Sequence, residues 1–291
     1  MKSIFATTRR TFIKRTGIIA GTTALSGAGV AAFLSRTASS AAAANASNTT
    51  DKHISSAGAG INVLLVHGAF VDASSWHKVI SLLQGQGFNV LTVQLPMTSI
   101  ADDVAVTNEA LAYLATTSNP TILVGHSYGG VVISNVGLTG SNVRGLVYIA
   151  AFAPDSGESV QSLIGQFPAT PVGNVLAPSF VPNTLWITPS AFPSVFMQDV
   201  NTIEAKADAL AQKPWALSCI GTPSGTPTWK SVPSWYLVSQ NDRVINPDAE
   251  RFFAKRMGAT TREIASSHAS PVSHPLEVSE FILAASQAIH A

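Results

Sequence analysis

The chain has 291 residues, of which 46% are hydrophobic and 11% are charged, a composition that excludes a disordered protein and supplies apolar side chains for a large core. Its net charge is +1, but residues 1–46 contain six basic residues and no acidic one, so the remainder has 11 basic against 16 acidic residues. That balance argues against a nucleic acid or an anionic membrane surface as the partner. Cys219 is the only cysteine, which excludes an internal disulfide and a multi-cysteine metal site.

The first 46 residues are predicted to be a cleaved export signal. Residues 8–17, TRRTFIKRTG, resemble the twin-arginine pattern, the uncharged segment 17–34 is only weakly apolar, and small residues at 44–46 suit a cleavage site. We therefore expect the twin-arginine export machinery as a partner, a periplasmic or extracellular location, and no stable membrane anchor. A cytosolic protein with a basic tail and an uncleaved anchor stay open as alternatives. Residues 47–60 are predicted to be a disordered lead-in.

From residue 61 onward, strand patterns alternate with helix patterns. Apolar runs predict the strands, and helical apolar spacing with glycine stops or a proline in the first turn predicts the helices. The predicted strands are 61–66, 88–95, 120–127, 143–152, 234–240 and 260–264. The predicted helices are 76–83, 100–114, one that starts at 129, 247–257 and 275–289. This order predicts one α/β domain over residues 61–291, with a mostly parallel central sheet and helices on both faces.

The alternation is interrupted between residues 154 and 233. Prolines are dense in this segment, and helical spacing is confined to patches such as 202–212. A connection of this length without structure of its own is uncommon. We therefore predict that residues 154–233 form a cap or lid over the site, whose aromatic side chains pack a core or line an apolar pocket.

The most specific motif is Gly125-His126-Ser127-Tyr128-Gly129, which fits G-x-S-x-G and lies between a predicted strand and a predicted helix. In a nucleophile elbow, this strand–turn–helix context holds the serine hydroxyl above the strand ends. The two glycines let the backbone pass close to its neighbours. Ser127 is therefore the predicted nucleophile, with a plain glycine-rich turn as the alternative, and His126 is expected to be structural.

A nucleophilic serine needs a histidine base and an acid that orients the base, and in this fold both follow later strands. Asp242 comes directly after the fifth predicted strand, and His268 comes after the sixth. Asp155, just beyond the fourth predicted strand, is the rival acid, and His274 is the rival base. The order Ser127, Asp242, His268 is the expected one for this chemistry.

Attack on a carbonyl group creates an oxyanion that needs hydrogen-bond donors. Tyr128, the residue after the nucleophile, is expected to donate its backbone N–H. The loop after the first predicted strand, VHGAF, is expected to supply a second N–H from Ala69 or, as the next choice, from Phe70.

The other titratable residues near these motifs are expected to have structural roles. His67 is expected to brace the VHGAF loop, and Asp248 to be an exposed acid in the first turn of a helix. His77 and His290 are predicted at the surface, and Cys219 is expected to be a small hydrophobic residue.

The chain resembles an α/β-hydrolase, and more narrowly the plant methylesterase and hydroxynitrile lyase group and its bacterial relatives. The resemblance covers nearly all of residues 61–291, and the matching stretches are VLLVHGAFVDASSWHKVISLL, VGHSYGGVVI, IAAFAPDSGES, WYLVSQNDRVI and SSHASPVSHPLEVSEFI. In this family an S-x-P step opens the last helix a few residues after the catalytic histidine. Ser273-His274-Pro275 occupies that place, which favours His268 as the base.

Two departures from the lyase members concern Gly68 and Ala269, where the lyases have a threonine and a lysine. The predicted export signal, the G-x-S-x-G motif and the family resemblance together imply an exported serine hydrolase. It is expected to cleave a small-molecule carboxylic ester through an acyl-enzyme, without a metal or an organic cofactor. Hydrolysis of an amide, lactone or carbon–carbon bond, a hydroxynitrile lyase-like reaction, and a non-catalytic ligand-binding role stay open. The sequence does not specify the oligomeric state or the natural substrate.

Overall fold

The computed structural model describes residues 57–289, and its central feature is a six-stranded parallel sheet. The strands of this sheet are β1 (Asn62–Val66), β2 (Asn89–Val93), β3 (Thr121–His126), β4 (Val143–Ile149), β8 (Ser234–Ser239) and β9 (Thr260–Ile264). Their order across the sheet is β2-β1-β3-β4-β8-β9, and all neighbouring pairs are parallel. Each strand lies within its predicted range, so the prediction of an α/β fold with a parallel sheet is confirmed.

Helices cover both faces of the sheet. The main ones are α1 (His77–Gly85), α2 (Ile100–Ala115), α3 (Gly129–Ser134), α8 (Pro247–Met257) and α10 (Pro275–Ala288). Successive side chains of a strand point to opposite faces. Val63 and Leu65 of β1 are therefore buried in one cluster with side chains of α1 and α10, whereas Leu64 and Val66 are buried in another with side chains of α2, α3 and α8.

The predicted cap region, residues 154–233, has a small antiparallel sheet and short helices. The sheet has the order β5-β6-β7 and consists of β5 (Leu176–Pro178), β6 (Thr184–Ile187) and β7 (Trp215–Ala216). The helices are α4 (Val160–Ile164), α5 (Phe192–Val195), α6 (Thr202–Leu210) and α7 (Leu217–Gly221), and a further short helix, α9 (Ser270–Ser273), precedes α10. Strands of two to four residues are too short to produce an alternating pattern, which is why the sequence indicates only α6.

The N-terminal predictions lie almost entirely outside the described residues. These are the cleaved signal over residues 1–46 and the lead-in up to residue 56, and His290 is outside as well. In contrast to the predicted disorder, residues 57–60 form a turn in which the Gly58 N–H donates to the carbonyl of Gln86 at 2.9 Å. From residue 57 to 289, no helix is both long enough and apolar enough to cross a membrane.

Candidate active site

The predicted site residues converge at one edge of the sheet. Ser127 directly follows β3, Asp242 follows β8, and His268 follows β9. The loop that contains Ala69 and Phe70 follows β1, the neighbour of β3. In a parallel sheet the carboxyl ends of all strands lie at the same edge, where open α/β sheets place their ligand sites.

Ser127 lies in a tight turn with a left-handed backbone. Its φ is +55°, and its carbonyl oxygen accepts from the N–H of Phe152 at 3.1 Å. A Cβ on Gly129 would lie 2.4 Å from the carbonyl oxygen of Val66, and one on Gly125 would lie 2.7 Å from the carbonyl group of Gly129. A positive φ at a residue other than glycine is strained, and such strain concentrates at functional positions. The turn has the geometry of a nucleophile elbow, and both flanking glycines are sterically required.

A chain of hydrogen bonds links the serine to an aspartate through a histidine. Ser127 Oγ lies 2.8 Å from His268 Nε2, and His268 Nδ1 lies 2.5 Å from Asp242 Oδ2. Asp242 Oδ1 accepts from the N–H groups of Val244 and Ile245 at 2.6 and 2.9 Å. A carboxylate held in this way accepts from Nδ1–H of the imidazole, which leaves Nε2 free to accept the serine proton.

The rival acid and base have other partners. Asp155 forms an ion pair with Lys230, and His274 hydrogen-bonds through Nδ1 to the hydroxyl of its neighbour Ser273 at 2.9 Å. The structure therefore brings together the three first-choice residues and neither of the rivals. Asp248 lies where the sequence places it, exposed in the first turn of α8.

The two segments predicted to bind an oxyanion lie beside the serine. Within the range 57–289, the backbone N–H groups of Ala69, Phe70 and Tyr128 donate to no protein acceptor. A Cβ on Gly68 would lie only 2.7 Å from Cβ of Ser127, so the backbone of this loop passes directly against the nucleophile. The left-handed φ of Phe70, +66°, marks the sharp turn of the loop. These N–H groups are available to a ligand.

His67 holds this loop in place. Its Nε2 accepts from the N–H of Leu95 at 3.0 Å, so the ring proton is on Nδ1, which donates to the carbonyl of Gly68 at 2.9 Å. Burial lowers the pKa of His67 to about 4, and the ring is therefore neutral at neutral pH. Its position agrees with the expected bracing role.

His126 contacts the segment of the predicted base. Its Nε2–H donates to the carbonyl oxygen of His268 at 2.8 Å, and the two rings lie 4.9 Å apart. Burial lowers the pKa of His126 well below its ordinary value, which keeps the ring neutral. From the cap region, Phe196 packs edge-on against His268 at 4.8 Å. His126 thus hydrogen-bonds the backbone of His268, and its structural role stays a prediction.

A buried carboxyl that the sequence reasoning missed anchors the side chain of Tyr128. Asp103 Oδ2 accepts from the Tyr128 hydroxyl at 2.7 Å, and Oδ1 accepts from the N–H of Met97 at 2.7 Å. Burial raises the pKa of Asp103, and it raises that of the nearby Cys219 thiol to about 11. Helical spacing could have revealed this role, because Asp103 lies on the buried stripe of α2 with Thr107.

A cavity of about 250 Å³ lies next to the loop that follows β1. Phe70, Met197 and Val272 are among its apolar lining residues, and Glu204 and Asp208 from α6 are among its polar ones. Residues of the candidate oxyanion loop and of the cap region thus line the same cavity. In the described part of the chain, no group of three or more His, Cys, Asp or Glu side chains is arranged to hold a metal ion.

Known proteins with similar sequences include several hydrolases. The chain is 26% identical over 251 residues to the alpha/beta hydrolase nvfD of Aspergillus novofumigatus, covering 73% of this chain and 91% of that protein. It is 26% identical over 211 residues to methylesterase 8 of Arabidopsis thaliana, covering 65% and 75%. It is 31% identical over 113 residues to a carbendazim hydrolyzing esterase of Nocardioides sp., covering 35% of this chain and about half, 47%, of that protein.

Solved structures show the same fold. A pyrethroid hydrolase from Sphingobium faniae JZ-2 has a TM-score of 0.66 at 21% identity, covering 79% of this chain and 98% of that one. An extracellular alpha/beta-hydrolase from a Paenibacillus species has a TM-score of 0.66 at 22% identity, covering 77% and 98%. The family profile described as "Alpha/beta hydrolase family" matches residues 63–281. With this match over most of its length and the fold it shares with these structures, the chain belongs to the alpha/beta hydrolase family.

Proposed function

We propose that this protein is a serine hydrolase that cleaves carboxylic esters of small molecules through an acyl-enzyme. The observation that carries the proposal is the continuous hydrogen-bonded chain from Ser127 Oγ through His268 to Asp242, with distances of 2.8 and 2.5 Å. Relatives named as an esterase and as methylesterases support ester cleavage over the other hydrolytic reactions.

In the proposed acylation step, His268 Nε2 takes the hydroxyl proton as Ser127 Oγ attacks the ester carbonyl carbon. The oxyanion accepts hydrogen bonds from the N–H of Tyr128 and from the N–H of Ala69 or Phe70. The protonated His268 then gives its proton to the alkoxide oxygen as the ester C–O bond breaks, and the alcohol leaves.

In the proposed deacylation step, the same imidazole removes a proton from a water molecule that attacks the acyl-enzyme. The tetrahedral intermediate collapses, the proton moves from His268 to Ser127 Oγ, and the carboxylic acid is released. Throughout, Asp242 keeps the proton of the neutral imidazole on Nδ1 and opposes the positive charge of the imidazolium. No step requires a group other than these side chains, the backbone N–H groups and water.

The cavity beside Phe70 is the proposed site for the acyl or alcohol part of the substrate, because Phe70, one of the candidate oxyanion donors, lines it. Two observations disfavour a lyase-like reaction. The threonine that the lyases have in place of Gly68 would clash with Ser127, because even a Cβ at position 68 would lie only 2.7 Å from the Cβ of Ser127. Ala269 is buried and offers no cation next to His268.

The test is a panel of p-nitrophenyl esters of increasing acyl length, assayed with the wild type, Ser127→Ala and a matched control, Ser81→Ala, which changes an exposed serine of α1. We expect turnover by the wild type and the control, and a loss of at least about 10³-fold in Ser127→Ala. Full activity of Ser127→Ala would refute the mechanism. Turnover of matched amides or lactones but of no ester would move the proposal to those substrates.

We further propose that the chain is exported by the twin-arginine machinery and that its signal is removed near residue 46. Support comes from the Arg9-Arg10 pair, the following Phe12-Ile13-Lys14, and the weakly apolar stretch after it. Sequencing the N-terminus of protein collected outside the cytoplasm should give a start near Ser47, and replacing both arginines by lysine should retain the protein inside. An exported protein that begins at Met1 would contradict the cleavage.

A further inference from the structure

Glu250, on the first turns of α8, is a buried carboxyl group that the proposed mechanism does not use. The residue is fully buried, and its Oε2 accepts from the backbone N–H of Ser239 at 3.0 Å. No donor in the described part of the chain reaches Oε1. A buried carboxylate with one donor and one unsatisfied oxygen is costly, whereas a protonated carboxyl group is itself a donor.

The group next to this carboxyl is Asp242. The charge of Asp242 acts on this carboxyl group, and both residues hydrogen-bond to the backbone of Ser239, whose N–H donates to Glu250 at 3.0 Å and whose carbonyl oxygen accepts from the N–H of Asp242 at 3.1 Å. Two buried carboxyl groups that interact in this way resist ionising together, because their charges repel and neither is solvated. A single proton held by one of the two carboxyl groups removes this repulsion.

The hydrogen bonds decide which of the two carboxyl groups keeps this proton. Asp242 accepts from His268 Nδ1 and from the N–H groups of Val244 and Ile245, and three donors stabilise a carboxylate. Glu250 has the single bond from Ser239. Burial, followed by the charge of Asp242, raises the pKa of Glu250 well above its ordinary value.

The other titratable and charged groups around Glu250 are occupied. The Tyr236 hydroxyl, from β8, donates to the carbonyl of Ala151. The guanidinium of Arg251 forms ion pairs with Asp248 and Glu263 at the surface. Among the titratable groups that act on Glu250 in the described part of the chain, Asp242 is thus the carboxyl group that can accept its proton.

We propose that Glu250 is a positioning residue for the hydrolytic reaction: as a neutral acid it donates an O–H bond to Asp242 and, together with the loop N–H groups, fixes the carboxylate that orients His268. The inference rests on the proposed function for its effect on turnover, whereas the shared proton is argued from the burial, hydrogen bonds and charges of the two carboxyl groups. Ionisation of Glu250 at high pH would place a second buried negative charge beside Asp242.

Two substitutions of Glu250 distinguish an effect of its hydrogen-bond donor from an effect of its side-chain volume. Glu250→Gln keeps a donor and does not titrate, and Glu250→Leu removes the donor. Asp248→Asn, which removes an exposed charge from the same turn of α8, is the control. For an ester that the wild type hydrolyses, kcat and KM are measured from about pH 5 to about pH 10.

We expect Glu250→Gln to keep kcat within about threefold of the wild type, with the acid limb of the pH profile unmoved, because no net charge is lost. We expect Glu250→Leu to lower kcat by about tenfold or more with little change in KM, since one hydrogen bond to a charged group is lost. An acid limb displaced by about one pH unit in Glu250→Gln would mean that Glu250 is ionised and would overturn the proposal. Wild-type turnover by Glu250→Leu would overturn it as well.

Two measurements need no substrate. The raised pKa of Glu250 contributes stability that is present below its ordinary value of 4.5 and is lost as the pH rises through the folded value. The Tm of Glu250→Gln should therefore gain on the wild type as the pH rises, and a constant difference would overturn the shared proton. In proton NMR spectra, the low-field Nδ1–H signal of His268 should persist in Glu250→Gln and move in Glu250→Leu, and an unmoved signal contradicts positioning. Should the wild type hydrolyse no ester, the proposed function fails while these two measurements still decide the role of Glu250.

Discussion

Replacing Asp242 by asparagine changes one atom of the site and tests how the histidine is oriented. Asp242 accepts three N–H groups, those of Val244 and Ile245 at Oδ1 and that of His268 Nδ1 at Oδ2. Asparagine has one acceptor oxygen and one NH₂ group. Because the two backbone donors are fixed by the loop, the amide oxygen is expected to face them, which turns the NH₂ group toward His268.

The imidazole then accepts at Nδ1 and carries its proton on Nε2, where it faces Ser127 Oγ and cannot act as a base. The substitution removes the charge-assisted hydrogen bond to His268 Nδ1, and restoring the working tautomer in the variant sets two donors, Nδ1–H and the NH₂ group, against each other. From about 1.5 to 3 kcal/mol for the first effect and about 1 to 3 kcal/mol for the second, we expect the barrier to rise by about 2.5 to 6 kcal/mol. That corresponds to a loss of about 10² to 10⁴ in kcat.

The assay compares kcat of the wild type, Asp242→Asn and Asp155→Asn on one p-nitrophenyl ester, with thermal unfolding as a check that each variant folds. Asp155 forms an ion pair with Lys230 at the surface, so Asp155→Asn should stay within about twofold of the wild type. Near-normal turnover by Asp242→Asn, together with a large loss in Asp155→Asn, would refute the assignment of the acid.

Three further changes test the surroundings of the site. Tyr128→Phe removes the hydroxyl donor of the buried Asp103 and should lower the free energy of unfolding by about 1 to 3 kcal/mol in urea denaturation, where an unchanged midpoint would contradict it. The pKa of His67 is lowered from 6.5 to about 4, so its contribution to stability is present above pH 6.5 and lost as the pH falls toward 4. Titration of His67 should therefore lower the free energy of unfolding of the wild type by about 3 kcal/mol as the pH falls between those values, and this contribution should be absent in His67→Gln. Parallel pH–stability curves of the two proteins would argue against this. Gly129→Ala places a Cβ 2.4 Å from the carbonyl oxygen of Val66 and should cost about 1 to 3 kcal/mol or more, visible as a lower Tm and reduced turnover.

The sheet and the convergence of the site residues could be predicted from the sequence because they depend on local patterns and on chain order. Apolar runs mark buried parallel strands, and residues that directly follow such strands meet at one edge of the sheet. Ser127, Asp242 and His268 each follow a strand, so their approach required no knowledge of side-chain packing. The same rule does not separate Asp242 from Asp155, which also follows a strand. Only the contacts, Asp242 with His268 and Asp155 with Lys230, distinguish the two.

The buried polar groups around the site could not be predicted in this way. Asp103 and Glu250 lie in the first turns of α2 and α8, where acidic residues usually face solvent and favour the helix dipole. Their neighbours Asp102 and Asp248 do face solvent. Which of two nearby acids turns inward depends on the rotation of the helix against the sheet, and that rotation is set by tertiary packing. A buried stripe read at helical spacing is the one sequence signal that points to Asp103.

Burial drives the titratable neighbours of the candidate site toward their neutral forms. It lowers the pKa of His67 and of His126, and it raises the pKa of Glu250. At neutral pH these side chains then act as directed hydrogen-bond partners of Gly68, of the His268 backbone and, in our proposal, of Asp242, without adding charge. In the proposed mechanism the negative charge of Asp242 is therefore opposed only by the positive charge that forms on His268 during proton transfer. Since a charge interaction in a water-poor interior is stronger than one at the surface, a neutral surrounding lets Asp242 stabilise the imidazolium without competition.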